Sequence, residues 1–199
     1  MNPTPTPNGD VQARVLRDMQ HWLESAVIGF NLCPFAKSVH VRGQVHWVVS
    51  LAPSAQVLEE ELARELGDLV ASAPAERDTT LLVLGRGMED FFEFNLFLAD
   101  ANRVLKRMGL SGEVQIASFH PAFQFAGTAP DDIGNCTNRA PYPTLHLLRE
   151  ASIARAVQAF PQAEMIFGNN IETLQRLGQA GWDKLAVGRR PADDSWEDA

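Results

Sequence analysis

The stretch Thr80-Leu81-Leu82-Val83-Leu84-Gly85 is apolar without a break until it ends at a glycine. A strand with one wet face alternates apolar and polar residues, whereas an unbroken run this short suits a central strand covered on both faces. Outward from it, residues 44–50 alternate, with Val45, Trp47 and Val49 on one side, and residues 113–118 read as a third strand. Helical periodicity fills the gaps. Ser54 is positioned to cap a helix carrying Leu58, Leu62, Leu66 and Val70 at steps of four, and a phenylalanine-rich helix over 89–108 stops at Gly109. Strand, helix, strand, helix, strand is the order of crossover connections. The expectation is an α/β fold with a small parallel sheet of three main strands, room for one short extra strand at Phe123 and Phe125, and about five flanking helices. The competing reading is an α+β sandwich in which one strand runs antiparallel.

The rest of the chain is organised around these elements. From Asp10, a capping residue, Val15, Met19, Leu23, Val27 and Phe30 recur at helical spacing, and Gly29 and Asn31 weaken that helix near its end. Cys33-Pro34 restarts the chain, because proline suits the first position of a helix and leaves Cys33 at its cap. After Ser118 come about 25 residues rich in Pro, Gly, Asp and Asn, a length that marks a functional or disordered loop. Its aromatics (Phe119, Phe123, Phe125, Tyr142) argue that it packs. Two helices close the pattern: one from near Thr144 with Leu147, Leu148, Ala151, Ala154 and Val157, the other over 163–177 with Gly178 as its stop. Residues 1–9 read as a disordered tail, 10–180 as a single α/β domain, and 181–199 as a mostly disordered acidic tail.

Composition narrows the function classes. A chain of 199 residues suits one domain with a proper core. With 25 acidic and 17 basic side chains the net charge is −8, which opposes nonspecific binding to nucleic acid but not to a small anionic ligand held by a few arginines. No run of about 18 apolar residues exists for a membrane span, and the N-terminus lacks the basic and apolar regions of a signal peptide. Cytoplasmic residence is the expectation. Two cysteines make no disulfide framework and no Cys-x-x-Cys site. The phosphate-loop, dinucleotide, Gly-x-Ser-x-Gly and His-Glu-x-x-His signatures are absent, and Gly85-Arg86-Gly87 resembles a phosphate turn only faintly.

Ligands of an open parallel sheet bind beyond the carboxyl ends of its strands. Here those ends are Ser50-Leu51, Gly85-Arg86-Gly87 and Ser118-Phe119-His120-Pro121, and the third opens into the polar loop. His120, before a rigid proline, suits a general base or a metal ligand, and equally a loop cap held by hydrogen bonds. Asp131 and Asp132 suit a hard cation or the orientation of His120, and equally a turn or helix start. Arg139 and Arg149, beside a helix start with free N–H groups, suit a fork for carboxylate or phosphate, with Thr128 and Asn138 adding polar contacts. The competing role for such an arginine is pairing with Asp131 or Asp132. His146, in the first turn of the same helix, would join either arrangement. Cys33 at a helix N-terminus near Lys37 suits a reactive thiolate, and equally a core thiol. A Cys33–Cys136 redox pair and a metal site built from His120, an aspartate, His146 or Cys33 match no standard spacing.

Leu32-Cys33-Pro34-Phe35-Ala36-Lys37, Ser118-Phe119-His120-Pro121, Gln124 to Asp132, Thr137 to Pro143 and Leu145 to Glu150 together resemble a bacterial family of unknown function, DUF1415. The resemblance spans about residues 12 to 178. It implies a compact single-domain bacterial protein and brings no activity, cofactor or catalytic residue with it.

The functional expectation is an enzyme acting on a small anionic metabolite. His120 would be acid or base, Asp131 or Asp132 its orienter, Arg139 and Arg149 the anion clamp, with Thr128 and Asn138 beside them and Cys33 as nucleophile. The alternative is a metabolite-binding or protein-interaction domain using the same anion site, with the phenylalanine-rich helix as a partner surface. A third reading makes the loop purely structural. No cofactor and no oligomeric state follows from the sequence.

Overall fold

The computed structural model describes residues 7–159 and 165–188. In chain order, α1 (Pro7–Trp22) runs on into a π-helical segment (Leu23–Ile28), followed by α2 (Ala36–Val41), β1 (Val45–Ser50), α3 (Ala55–Ala71), β2 (Thr79–Leu84), α4 (Phe91–Arg107) and β3 (Val114–Phe119). A 3-10 helix (Ile133–Asn138) then precedes β4 (Thr144–Arg149), α5 (Glu150–Ala159) and α6 (Ile166–Lys184).

Every residue of β2 is buried. A strand with no face in water must satisfy its backbone groups on both edges, and β2 does so against β1 and β4. Among the described residues the four strands form one sheet in the order β1-β2-β4-β3. β1 and β2 are parallel, while β4 is antiparallel to both β2 and β3. Two reversals restore direction, so β1, β2 and β3 all point the same way and only β4 runs against them.

The sheet is therefore mixed, not parallel. The additional strand is β4, and Phe123 and Phe125 lie in the loop instead. Leu145, Leu147 and Leu148 fit a helical stripe with Ala151 as readily as a strand, because a short apolar run satisfies both periods. Pairing decides between them: Leu82 faces Leu145, and Leu81 faces His146, across the β2–β4 ladder.

Side-chain alternation on β2 divides the core. Leu82 and Leu84 join Leu145 and Leu147 under α3 and α4, where Leu58, Leu62, Leu66, Phe94 and Phe97 are buried. Leu81 and Val83 face the other way, onto Val15, Met19 and Trp22 of α1. Ser54 does cap α3, its hydroxyl accepting from the Val57 amide at 3.3 Å. Gly109 follows α4 with a φ of 74°, the left-handed conformation that favours glycine after a helix. At the other terminus, α1 begins at Pro7, so residues 7–9 are helical and Asp10 sits in the first turn.

The C-terminal reading also changes. Gly178 (φ 64°, ψ 169°) interrupts α6, but the helix resumes to Lys184. Trp182, Leu185 and Val187 then pack against the α1 side of the core, so 181–188 belongs to the domain. Most of both expected tails, and the expected start of the last helix, lie outside the described residues. Among the described residues no helix is long and apolar enough to cross a membrane.

At the amino ends of the parallel strands sits a buried polar cluster. Arg77 is 8% exposed and Glu65 5%. The Arg77 guanidinium donates to Glu65 Oε2 at 2.7 Å and to Thr80 Oγ1 at 2.9 Å, tying α3 to β2. Removing one partner strands the other charge in the core, a loss of about 3–5 kcal/mol. Glu65→Ala and Arg77→Met should each show that loss in urea unfolding, while the paired change Glu65→Leu with Arg77→Met should cost far less than the sum of the two. Additive losses would mean that the two side chains act independently.

Candidate functional site

Because β4 runs against β3, the chain needs only to cross the carboxyl end of the sheet to pass from one to the other. The segment over 120–143 lies across that end, and a cleft of about 490 Å³ opens there. Leu84 and Gly85 contribute from the end of β2, Pro121 from the turn after β3, and Arg139 and Tyr142 from the approach to β4. Gln179, Trp182, Asp183 and Val187 from the C-terminal segment also line it, with Glu89 at the β2–α4 connection. The three predicted strands keep a common direction, so their carboxyl ends still meet at one end of the sheet, where this cleft lies.

His120 is fully buried. The Ala122 amide donates to its Nδ1 at 3.0 Å, so the proton sits on Nε2, which donates to the Met88 carbonyl at 3.0 Å. Phe91 and Phe94 pack on the ring with centroids 5.2 Å away. Burial pushes its pKa below the ordinary value, against the Met88 carbonyl and the charges of Asp90 and Glu89, which pull it up. Both ring nitrogens are committed to backbone, leaving none for a substrate proton in this conformation. Asp131 is exposed on the turn and is not a ring partner of His120, whereas Asp132 caps the 3-10 helix by accepting from the Gly134 amide at 2.8 Å.

Other polar loop residues are spent on the loop itself. Asn135, with no exposed surface, accepts from the Phe125 amide and donates to the Ala129 carbonyl. Thr128 Oγ1 lies 2.9 Å from both Phe125 O and Asn135 Oδ1. Asn138 Nδ2 reaches Ser118 O at 3.4 Å, and its carbonyl accepts from the His120 amide. Arg139 donates from Nε to Phe123 O at 3.0 Å and from Nη2 to Pro130 O at 2.6 Å. The expected pairing with Asp131 or Asp132 is not what holds it: among the described residues Arg139 forms no ion pair.

Arg149 is not Arg139's partner. Antiparallel β4 starts at the cleft and carries Arg149 to the opposite end of the sheet, where it pairs in register with Val114. There its guanidinium donates to the carbonyls of Leu69, Ser72 and Arg77, closing the C-terminus of α3. His146 lies within β4, not in a helix turn, and its Nε2 is 2.7 Å from Thr79 Oγ1. The Thr79 hydroxyl spends its own proton on Leu147 O, so His146 Nε2 is the donor between them. Burial pushes the His146 pKa down to about 4. Cys33 precedes α2 by three residues, not one, and burial pushes its thiol up against the amides of Phe35 and Ala36, which pull it down. That leaves a thiol, not a thiolate, at neutral pH. Cys136 is buried against Leu32 and Leu174, and both cysteines are free.

Of the predicted site residues, only Arg139 lines the cleft. Glu89, Gln179, Trp182 and Asp183 were not singled out, because the last three fell near or within the segment read as a tail. The apolar spacing of Trp182, Leu185 and Val187 was the available signal. Tyr142, noted only as a packing aromatic, is 1% exposed and donates to the buried Asp18 carboxylate at 3.0 Å.

Two expected outcomes follow from this geometry. Arg149→Met should lower stability by about 2–3 kcal/mol in urea unfolding, since charged donors leave three carbonyls. His146 enters the unfolded chain near 6.5 and the fold near 4, so the unfolded state binds more protons between those values. Stability is complete above the unfolded value and falls as the pH drops, by about 2 kcal/mol from about pH 7.5 to about pH 5. Urea unfolding of His146→Leu should lack that increment; an identical pH slope would assign it to another group.

Comparison with known proteins adds the family and nothing about the reaction. No curated protein and no solved structure matches the chain. A family model described as a protein of unknown function, DUF1415, matches residues 14–184, from within α1 to the end of α6. The chain belongs to the DUF1415 family.

Proposed function

We propose that the cleft at the carboxyl end of the sheet is a binding site for a small metabolite carrying an anionic group, with Arg139 as the residue that receives it. The observation that carries this reading is an arginine, unpaired with any carboxylate among the described residues, in the wall of a 490 Å³ cleft. Pockets of this size accommodate small molecules, and a charged side chain set among apolar ones orients a ligand. Leu84, Tyr142, Trp182 and Val187 supply the apolar part.

Recognition is favoured over acid–base catalysis. His120 spends both ring nitrogens on backbone, so the side chain first in line for a base has no free lone pair. Arg139 has a second task in the loop, which is why its contacts to Phe123 O and Pro130 O must be separated from its role toward a ligand.

A thermal-shift screen with citrate, malate, 3-phosphoglycerate and inorganic phosphate tests the reading. A ligand at a hundred times its Kd adds about 2.7 kcal/mol, which raises the melting temperature of a chain this size by roughly 5–11 °C. The shift should vanish in Arg139→Gln and fall in Trp182→Ala, whose wall position leaves the loop bonds intact. An undiminished shift in both folded variants would move the site elsewhere.

A further inference from the structure

The charges of the cleft do not favour a plain anion. Arg139 contributes one positive charge, but Glu89 and Asp183 stand in the same walls with two negative ones. Among the described residues each carboxylate accepts a hydrogen bond through one oxygen: Glu89 Oε1 from the Gly87 amide at 3.0 Å, and Asp183 Oδ1 from Gln179 Nε2 at 2.7 Å. Among the described residues neither forms an ion pair. The second oxygen of each remains an acceptor that neither of these contacts uses.

Resting on the reading of the cleft as a ligand site, we infer that its ligand is a zwitterion with an apolar body, of the class of free amino acids and short peptides. The anionic end meets Arg139 and the ammonium end meets Glu89 or Asp183. A purely anionic ligand gains one favourable contact at Arg139 and faces two carboxylates across the same space. A purely cationic ligand meets the reverse problem at Arg139. Only a molecule with both charges leaves no group opposed by its own sign, and like-charge juxtaposition is what excludes wrong ligands most effectively. Between the charges, Leu84, Trp182 and Val187 offer aliphatic and aromatic contact, so an apolar side chain is preferred to a polar one.

Titration calorimetry on the full chain decides it, with leucine, phenylalanine and leucyl-leucine as zwitterions. Their N-acetyl derivatives serve as anions and their C-terminal amides as cations. At least one zwitterion should bind about tenfold or more tighter than both of its blocked forms, the size expected for a hydrogen bond to a charged group. Glu89→Gln or Asp183→Asn should weaken that zwitterion by about tenfold while leaving its N-acetyl form unchanged or tighter. If N-acetyl forms or the carboxylates and phosphates of the first screen bind as well as the zwitterions, the inference falls and the anion-site reading stands. If no zwitterion and no anion binds, both fall together.

Discussion

The structure depends on one constraint: β2 is covered on both faces, so its backbone must be hydrogen-bonded along both edges by other strands. β1 meets the demand on one side through a helical crossover. On the other side the partner is β4, which reaches β2 from the opposite direction. An antiparallel partner can be entered from the end of the sheet where β3 finishes. A parallel one would require the chain to travel back along the whole layer. The segment over 120–143 therefore begins and ends at the carboxyl end of the sheet, because β4 starts where β3 finishes.

A segment of that length with little regular structure still has to satisfy its own backbone groups. The polar side chains that look like chemistry in the sequence do much of this. Asn135, Thr128 and Asp132 close turns, His120 bridges Met88 and Ala122, and Arg139 braces Phe123 and Pro130. Side chains drawn into such a network are positioned by it, and together they hold the loop that carries Arg139 to the cleft. At the cleft the loop contributes the charge of Arg139, while the carboxylates come from outside it, from Glu89 and from Asp183 of the C-terminal segment.

The two ends of the sheet divide the labour. At the amino end of the parallel strands, Arg77, Glu65 and Thr80 form a buried cluster, and Arg149 closes α3. These contacts fasten the crossover helix to the sheet and bury the charges of Arg77 and Glu65. At the carboxyl end, charges line an open space. Arg139 and Arg149 have similar side chains and fall near one another in the chain, yet they serve opposite ends because the strand between them spans the sheet.

Much of the architecture could be read from local pattern. The unbroken apolar run of β2, the alternation of β1, the Ser54 cap and the leucines of α3 each rest on interactions within a few residues or on a face periodicity that survives any packing. The family resemblance was legible too, because it lies in contiguous blocks of residues. What local pattern could not settle was the state of Thr144–Arg149, where strand and helix periods coincide over a short leucine-rich run and only the unfilled edge of β2 decides. With that went the partners of Arg139, Arg149 and His146, since direction along β4 determines which end each occupies. Trp182 and Val187 were hidden for a related reason: an acidic segment reads as solvated until the core surface that buries its few apolar side chains is known. Local composition alone says which segments are apolar enough to build the core. Which polar groups hold the loop and which line the cleft emerges from the folded chain, because hydrogen-bond partners distant in sequence are chosen by strand direction and not by spacing.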